Sequence, residues 1–192
     1  MRKLIVNEFL ALDGTAQAPG GADEDTSDGF QHGGWHMQYG GGDGMAKLIG
    51  EAGAFLLGRR TYELFAGYWP NAPEETQRFA EPMNTKPKHV ASRTLTGPLE
   101  WQNSTVLRGS LPEAVTALKE EDGGDLLVIG STVLVQSLIQ DGLVDEFRLL
   151  IDPVLVGGGK RIFPDDGGLR PLRLVGHEVT EAGVIIATYA PA

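Results

Sequence analysis

Short apolar segments alternate with amphipathic helical segments along most of this sequence, and this alternation limits the folds open to it. Apolar residues recur at helical spacing in residues 43–52 and 60–66, and a short helix is also predicted around residues 74–79. Residues 110–113, Ser-Leu-Pro-Glu, predict a capping box that begins a further helix. Two β-rich segments at 172–181 and 184–189 predict a terminal hairpin. Other short segments are apolar and rich in β-formers, and we predict strands at 3–10, 54–57, 88–92, 105–107, 125–129 and 145–151.

The order of these elements predicts an α/β fold, with a mostly parallel central sheet, helices on both faces and an antiparallel C-terminal hairpin. A chain of 192 residues is long enough for one full core, so we expect a single domain over residues 1–192. In open sheets of this kind, ligands bind at the carboxyl ends of the strands.

The composition excludes several classes of function. A formal charge of −10 disfavours nucleic acid as a partner, because the protein repels a phosphate backbone. No apolar run approaches the roughly 20 residues that cross a bilayer, so we expect no membrane partner. The chain has no cysteine, which excludes disulfides and thiolate chemistry and fits a cytoplasmic location. The four histidines are scattered, and no metal site is predicted.

Three of the predicted strands end in residues suited to binding an anion. Gly58-Arg59-Arg60-Thr61, Ser92-Arg93 and Gly130-Ser131-Thr132 each follow a β-rich segment. A glycine lets the backbone approach a ligand, a helix N-terminus offers free N–H groups, and arginines add charge-assisted hydrogen bonds. Together they predict a dinucleotide site, with the pyrophosphate at Gly130-Ser131. Each motif taken singly is also compatible with an ordinary turn.

A long polar segment, residues 15–42, contains many glycines together with Phe30, Trp35, His36 and Tyr39. Loops of this length in a small domain are usually functional or mobile. One interpretation is a lid whose Trp35 covers a flat substrate and excludes water. The alternative is a loop that folds back onto the core.

Several motifs resemble a known superfamily. Residues 57–63, Leu-Gly-Arg-Arg-Thr-Tyr-Glu, resemble the Gly-Arg-x-Thr motif of dihydrofolate reductases. Residues 10–14, Leu-Ala-Leu-Asp-Gly, and the run from Val128 to Gly159 are similar to a related group that includes the reductase domain of the riboflavin-biosynthesis deaminase/reductase. The resemblance covers nearly the whole chain. It implies a dihydrofolate-reductase-like α/β/α fold in three layers, NADPH as cofactor and a homodimer.

The resemblance also implies roles for individual residues. Asp43 lies at about the family's distance before the Gly-Arg-x-Thr motif and would be the catalytic acid, although it is also a plausible helix cap. Asp13 is either a structural turn residue or one that shapes the substrate pocket, and Trp35 of the possible lid would cover the substrate. Ser131 stands where the family usually has a second glycine, and Ala11 where it has serine. The residues that would contact NADPH are Gly58, Arg59, Arg60, Thr61, Ser92, Arg93, Gly130, Ser131, Thr132, Leu134 and Val135.

The resulting hypothesis is an NADPH-dependent reductase acting on a small heterocyclic molecule, pterin-like or pyrimidine-like. The cofactor would carry the chemistry, and the protein would position it and supply a proton. The alternative is a non-catalytic NADP(H)-binding or redox-sensing module, because no acidic residue matches the family's acid securely.

Overall fold

The computed structural model describes residues 1–40 and 42–192, and all their side chains except those of Gly42 and Asp43. The strands are β1 (Leu4–Ala11), β2 (Ala54–Gly58), β3 (Lys88–Ala91), β4 (Ser104–Val106), β5 (Leu126–Ile129), β6 (Glu146–Asp152), β7 (Leu172–Val179) and β8 (Ile185–Pro191). The helices are α1 (Gly42–Glu51), α2 (Arg59–Tyr68), α3 (Gln77–Thr85), α4 (Leu111–Glu120) and α5 (Thr132–Gln140). None of the helices in the described part of the chain is long and apolar enough to span a membrane.

All the strands join one sheet in the order β4-β3-β2-β5-β1-β6-β8-β7. The strands from β4 to β6 are parallel, while β8 pairs antiparallel with both β6 and β7. This architecture confirms the predicted parallel sheet with an antiparallel C-terminal hairpin. It also brings the carboxyl ends of β3, β2 and β5 side by side.

Strand alternation divides the core between the two faces of the sheet. On one face, Leu4, Val6 and Leu10 of β1 pack with α4 and α5, and we call this the α5 face. On the other, Ile5 of β1 packs with Met45 of α1, and α2 and α3 lie on the same side, so we call this the α1 face. Because side chains alternate along a strand, Glu8 belongs to the α5 face, where it is 3% exposed.

The α3 helix differs most from the prediction. The sequence pattern predicted a short helix at 74–79, but α3 begins at Gln77 and continues through Pro82. Proline usually ends a helix, because it lacks an N–H group and clashes with the preceding turn. Here Ala80 and Met83 are both 1% exposed, so burial of the helix against the sheet outweighs the local cost of Pro82.

Two lysines, Lys86 just before β3 and Lys88 at its first residue, bind the carbonyl groups at the ends of two helices. Lys86 Nζ donates to carbonyl oxygens at the end of α1, including those of Ile49 and Ala52. Lys88 Nζ donates to carbonyl oxygens at the end of α3 and lies 4.4 Å from the centroid of the Trp101 ring. A cation suits this position, because the last carbonyl groups of a helix lack partners within the helix.

Candidate active site at the strand ends

The turns after β2 and β5 are joined by a hydrogen bond. The N–H of Gly58 donates to Ser131 Oγ at 2.8 Å. A Cβ on Gly58 would lie 3.3 Å from the Ser131 side chain, and one on Gly130 would lie 3.4 Å from Thr61 Cγ2. Since Gly58 is also the register partner of Ala91, the three predicted strand-end motifs form one continuous surface.

Ser131 stands at a position where the resembling proteins usually have glycine. Its backbone conformation explains why glycine is usual at this position. Its φ of 67° lies in the left-handed region, next to Gly130 with a φ of 62°. A Cβ atom destabilises that backbone conformation by about 1–2 kcal/mol relative to glycine. The hydrogen bond from the N–H of Gly58 to Ser131 Oγ offsets part of this cost. The hydroxyl oxygen therefore serves as an acceptor that joins the two turns.

Two helices begin at these turns without a side-chain cap. Gly58 precedes α2 and Ser131 precedes α5, and neither helix start receives a capping hydrogen bond from a side chain. The first N–H groups of each helix therefore have no partner inside the helix. With the helix dipole, they form two adjacent sites for an anion such as a phosphate group.

The arginines at this surface differ in whether a carboxylate of the protein pairs with their guanidinium group. Arg59 Nη1 lies 3.0 Å from both carboxylate oxygens of Glu63, so its charge is already neutralised. Arg60 and Arg93 are exposed, and among the described residues neither has an ionic or hydrogen-bonding side-chain partner. Arg108 is also exposed just beyond β4, the neighbour of β3, and sequence reasoning missed it. The signal was present, because Arg108 directly follows the strand predicted at 105–107.

Three other predicted cofactor residues have structural roles here. Val135 is 0% exposed and Leu134 is 7% exposed, and both belong to the core of the α5 face. The first turns of α5 direct Val135 into the sheet, so its side chain packs in the core in this structure. Ser92 Oγ accepts hydrogen bonds from the N–H groups of Thr94 and Leu95, so it shapes its own turn.

The predicted lid is folded back onto the protein. Trp35 is 7% exposed, and its Nε1 donates to the carbonyl oxygen of Gln17 at 2.8 Å. The structure thus has the alternative arrangement, in which the indole belongs to the core beneath the loop. Trp35 does not face an open substrate site in this conformation.

Asp13 and its neighbours bind this loop to the segment after β6. Asp13 Oδ2 accepts hydrogen bonds from the N–H groups of Val156, at 3.0 Å, and Gly157, at 2.6 Å. Gln17 Oε1 accepts another from the N–H of Lys160. Desolvation raises the pKa of Asp13, but the N–H of Gly157 and the other donors around it outweigh this effect and lower it. Asp13 is therefore a structural carboxylate that holds two loops together.

A histidine–carboxylate pair lies at the end of β6, on the α1 face. His36 Nδ1 is 2.8 Å from Asp152 Oδ2, and Asp152 is 0% exposed. The imidazole also packs against the Phe9 ring, with 3.8 Å between ring centroids. Within the described part of the chain no group bonds to His36 Nε2, and the side chain keeps 10% of its surface exposed. A ring fixed in this way can donate or accept a proton through Nε2.

The side chain of the predicted acid, Asp43, lies outside the described residues, although its backbone belongs to the first turn of α1. The neighbouring Met45 Sδ is 3.3 Å from Asn7 Nδ2. This turn therefore stands over β1, on the same face of the sheet as the His36–Asp152 pair.

A cleft opens between residues 27–32 and 156–160, away from the strand-end surface, with a volume of about 500 Å³. Its lysine, Lys160, is bound to Asp25 and to Ser27 Oγ, and Asp28 also lines the space. The cleft therefore offers no free positive charge for a phosphate. The strand-end surface, with two uncapped helix starts and unpaired arginines, suits a dinucleotide better.

The family follows from comparison with known proteins, because a family model for the RibD C-terminal domain matches residues 2–186. The chain belongs to the RibD C-terminal domain family. It is 31% identical to the uncharacterized protein YyaP of Bacillus subtilis over 149 residues, covering 76% of this chain and 78% of YyaP.

Two solved structures confirm the predicted dihydrofolate-reductase-like fold. A pyrimidine reductase-like protein of Corynebacterium diphtheriae superposes with a TM-score of 0.68 at 14% identity, over 100% of this chain and 92% of the other. The Enterococcus faecalis dihydrofolate reductase complexed with NADP(H) gives a TM-score of 0.61 at 16% identity, over 98% and 96%. The family match confirms the predicted resemblance to the riboflavin-type group, and the two structures share its fold.

Proposed function

We propose that this RibD C-terminal domain protein is an NADPH-dependent reductase of a small heterocyclic substrate, pterin-like or pyrimidine-like. The observation that carries the proposal is the pair of uncapped helix starts at Gly58 and Ser131, flanked by the unpaired Arg60 and Arg93. The structural neighbour from Enterococcus faecalis binds NADP(H), which supports the same cofactor here.

The residues of the strand ends would each hold a different part of the cofactor. The free N–H groups at the starts of α2 and α5 would bind the pyrophosphate, and Arg93 with Arg60 would bind the adenosine phosphate. When bound, NADPH supplies a hydride. The proton that must accompany the hydride would come from Asp43 in the first turn of α1, or from His36 Nε2 held by Asp152.

NADPH is expected to bind more tightly than NADH by about 10- to 100-fold, because charge-assisted hydrogen bonds of Arg93 to a phosphate are each worth about 1.5–3 kcal/mol. Tryptophan fluorescence titration with each nucleotide measures the difference. Arg93→Gln should weaken NADPH binding and leave NADH binding unchanged.

Arg173→Gln is the matched control, because Arg173 is exposed on β7 at the far edge of the sheet. This variant should keep the affinity of the wild type for both nucleotides. If neither nucleotide binds the wild-type protein, the cofactor assignment is wrong. If both bind equally, Arg93 does not contact the additional phosphate.

Asp43→Asn is expected to lower kcat by about 10²- to 10⁴-fold, the usual contribution of a general acid, with little change in NADPH affinity. The measurement is NADPH oxidation with dihydrofolate and with aminopyrimidine acceptors.

His36→Asn keeps an amide toward Asp152 but cannot transfer a proton, so it tests the second candidate for the proton donor. A loss in His36→Asn alone would move the proton-donor role to His36. A wild-type protein that binds NADPH but turns over no acceptor would instead favour a redox-sensing module.

A further inference from the structure

A buried glutamate, Glu8 of β1, lies beside the turn between β5 and α5. The parallel pairing of β1 with β5 ends at Asn7 and Ile129, so Glu8 is the first residue of β1 beyond that pairing, level with the Gly130-Ser131 turn. Its register partner in β6 is Leu149, which packs in the core of the α5 face. Because register partners point to the same face of a sheet, the Glu8 side chain lies on the side where α5 begins.

The carboxyl group of Glu8 is not satisfied within the protein. Glu8 is 3% exposed, and within the part of the chain that the structure describes its Oε1 has no hydrogen-bond partner. Glu24 of the long loop interacts with it electrostatically, but Glu24 Oε2 accepts hydrogen bonds from the N–H groups of Gly20, at 2.7 Å, and Gly21, at 3.1 Å. A buried polar atom without a partner is costly, so Oε1 indicates a ligand that donates a hydrogen bond to it.

The surroundings of Glu8 favour a neutral carboxyl group. Burial raises the pKa of Glu8 well above its usual value, and the negative charge of Glu24 raises it further. A protonated carboxyl group presents one hydrogen-bond donor and one acceptor side by side. A primary carboxamide presents the same two groups in the opposite order, so a carboxyl group and a carboxamide can form two parallel hydrogen bonds. The ligand that suits Glu8 therefore carries an amide rather than a charged group.

The strand order places Glu8 at one end of the proposed dinucleotide site. The strands β3, β2, β5 and β1 are neighbours in that order. In the proposed function, Arg93 after β3 binds the adenosine phosphate, and the helix starts after β2 and β5 bind the pyrophosphate. A dinucleotide that continues in the same direction brings its nicotinamide to β1, where Glu8 lies beside the end of β5. The polar substituent of a nicotinamide ring is a primary carboxamide.

We propose that Glu8 recognises the carboxamide of the nicotinamide and thereby positions the ring at the ends of β5 and β1. Oε1 accepts a hydrogen bond from the carboxamide N–H group, and the hydroxyl of the same carboxyl group donates to the carboxamide oxygen. Because Glu8 is covered in this structure, the loop around Glu24 moves aside to admit the carboxamide. The inference rests on the proposed function, since it requires a nicotinamide cofactor.

The test compares NADP⁺ with its acetylpyridine analogue, in which a methyl ketone replaces the carboxamide. Isothermal titration calorimetry at pH 6 is done on the wild type, Glu8→Leu, Glu8→Gln and the control Glu178→Leu, whose glutamate is exposed on β7. We expect the wild type to bind NADP⁺ about 3- to 10-fold more tightly, because the ketone cannot donate a hydrogen bond to Oε1. Glu8→Leu should lose this preference. Glu8→Gln should keep it, because its side-chain carbonyl still accepts, and Glu178→Leu should be unchanged.

A purely structural role for Glu8 would change the affinity for both dinucleotides by the same factor and leave the preference intact in Glu8→Leu. That result, equal affinity of the wild type for the two dinucleotides, or loss of the preference in Glu8→Gln or Glu178→Leu would each overturn the inference while the cofactor assignment stands. Urea unfolding of the variants shows that they remain folded. Failure of the proposed function has a different result, because the wild type then binds neither dinucleotide, and the assignment of Glu8 is refuted with it.

Discussion

Replacing Lys88 with methionine is expected to lower the free energy of unfolding by about 3–5 kcal/mol, the cost of removing one partner from a buried charged network. Lys88 is 0% exposed, and its ammonium donates to the carbonyl oxygens of Met83 at 2.8 Å, Asn84 at 3.2 Å and Lys86 at 2.9 Å. Methionine fills a similar volume but donates no hydrogen bond. Three carbonyl groups at the end of α3 then lose their donor, and the contact with the Trp101 ring loses its cation.

Urea unfolding at pH 7 measures this effect. Burial lowers the pKa of Lys88 to about 8, so the side chain is still largely protonated at that pH. Lys47→Met is the control, because the Lys47 side chain is 75% exposed on α1 and pairs with the exposed Glu51. It should change stability by no more than about 0.5 kcal/mol. A loss below about 1 kcal/mol in Lys88→Met would mean that water replaces the ammonium.

Glu8→Gln is expected to stabilise the protein at pH 8 and to have little effect near pH 4. Burial raises the pKa of Glu8 well above its usual value of 4.5, and the nearby Glu24 raises it further. As the pH rises above 4.5, the unfolded state therefore releases a proton that the folded state still holds. Stability then falls by about 1.4 kcal/mol for each pH unit, until the folded-state pKa is reached. Glutamine has a similar shape without this proton, so the variant avoids the loss.

The measurement is the free energy of unfolding from pH 4 to pH 8 for the wild type and the variant. The two curves should separate with rising pH, and the variant should have the smaller slope. Glu178→Gln, at an exposed position on β7, is the control and should follow the wild type. Parallel curves for Glu8→Gln and the wild type would show that Glu8 ionises without penalty, which would require water beside Oε1.

The elements that were predicted correctly are those whose signal lies within a single short segment of the sequence. The β2 segment, Ala54–Gly58, is uniformly apolar and ends in glycine, so its strand and its turn were both recognisable. The same holds for β5 and the Gly130-Ser131 turn after it. The helix at Gln77–Thr85 was misplaced because its position depends on Met83 reaching the sheet, which local propensity does not report.

The candidate site was predictable only where a single segment carried the signal. Arg60 and Arg93 follow their own strands and were identified, whereas the pairing of His36 with Asp152 joins two segments far apart in the sequence. The burial of Val135 was also recognisable from the sequence, because its spacing from Leu138 and Ile139 is that of a buried helix face.

The hydrogen bonds of Asp13 and Gln17 to residues 156–160 have a consequence for protein engineering. These hydrogen bonds join the two segments, so we expect either loop to change its shape when its counterpart is exchanged alone. Residues 12–40 and 152–160, which include the His36–Asp152 pair, therefore depend on one another for their conformation. A chimera built to alter specificity must take both segments from the same donor protein.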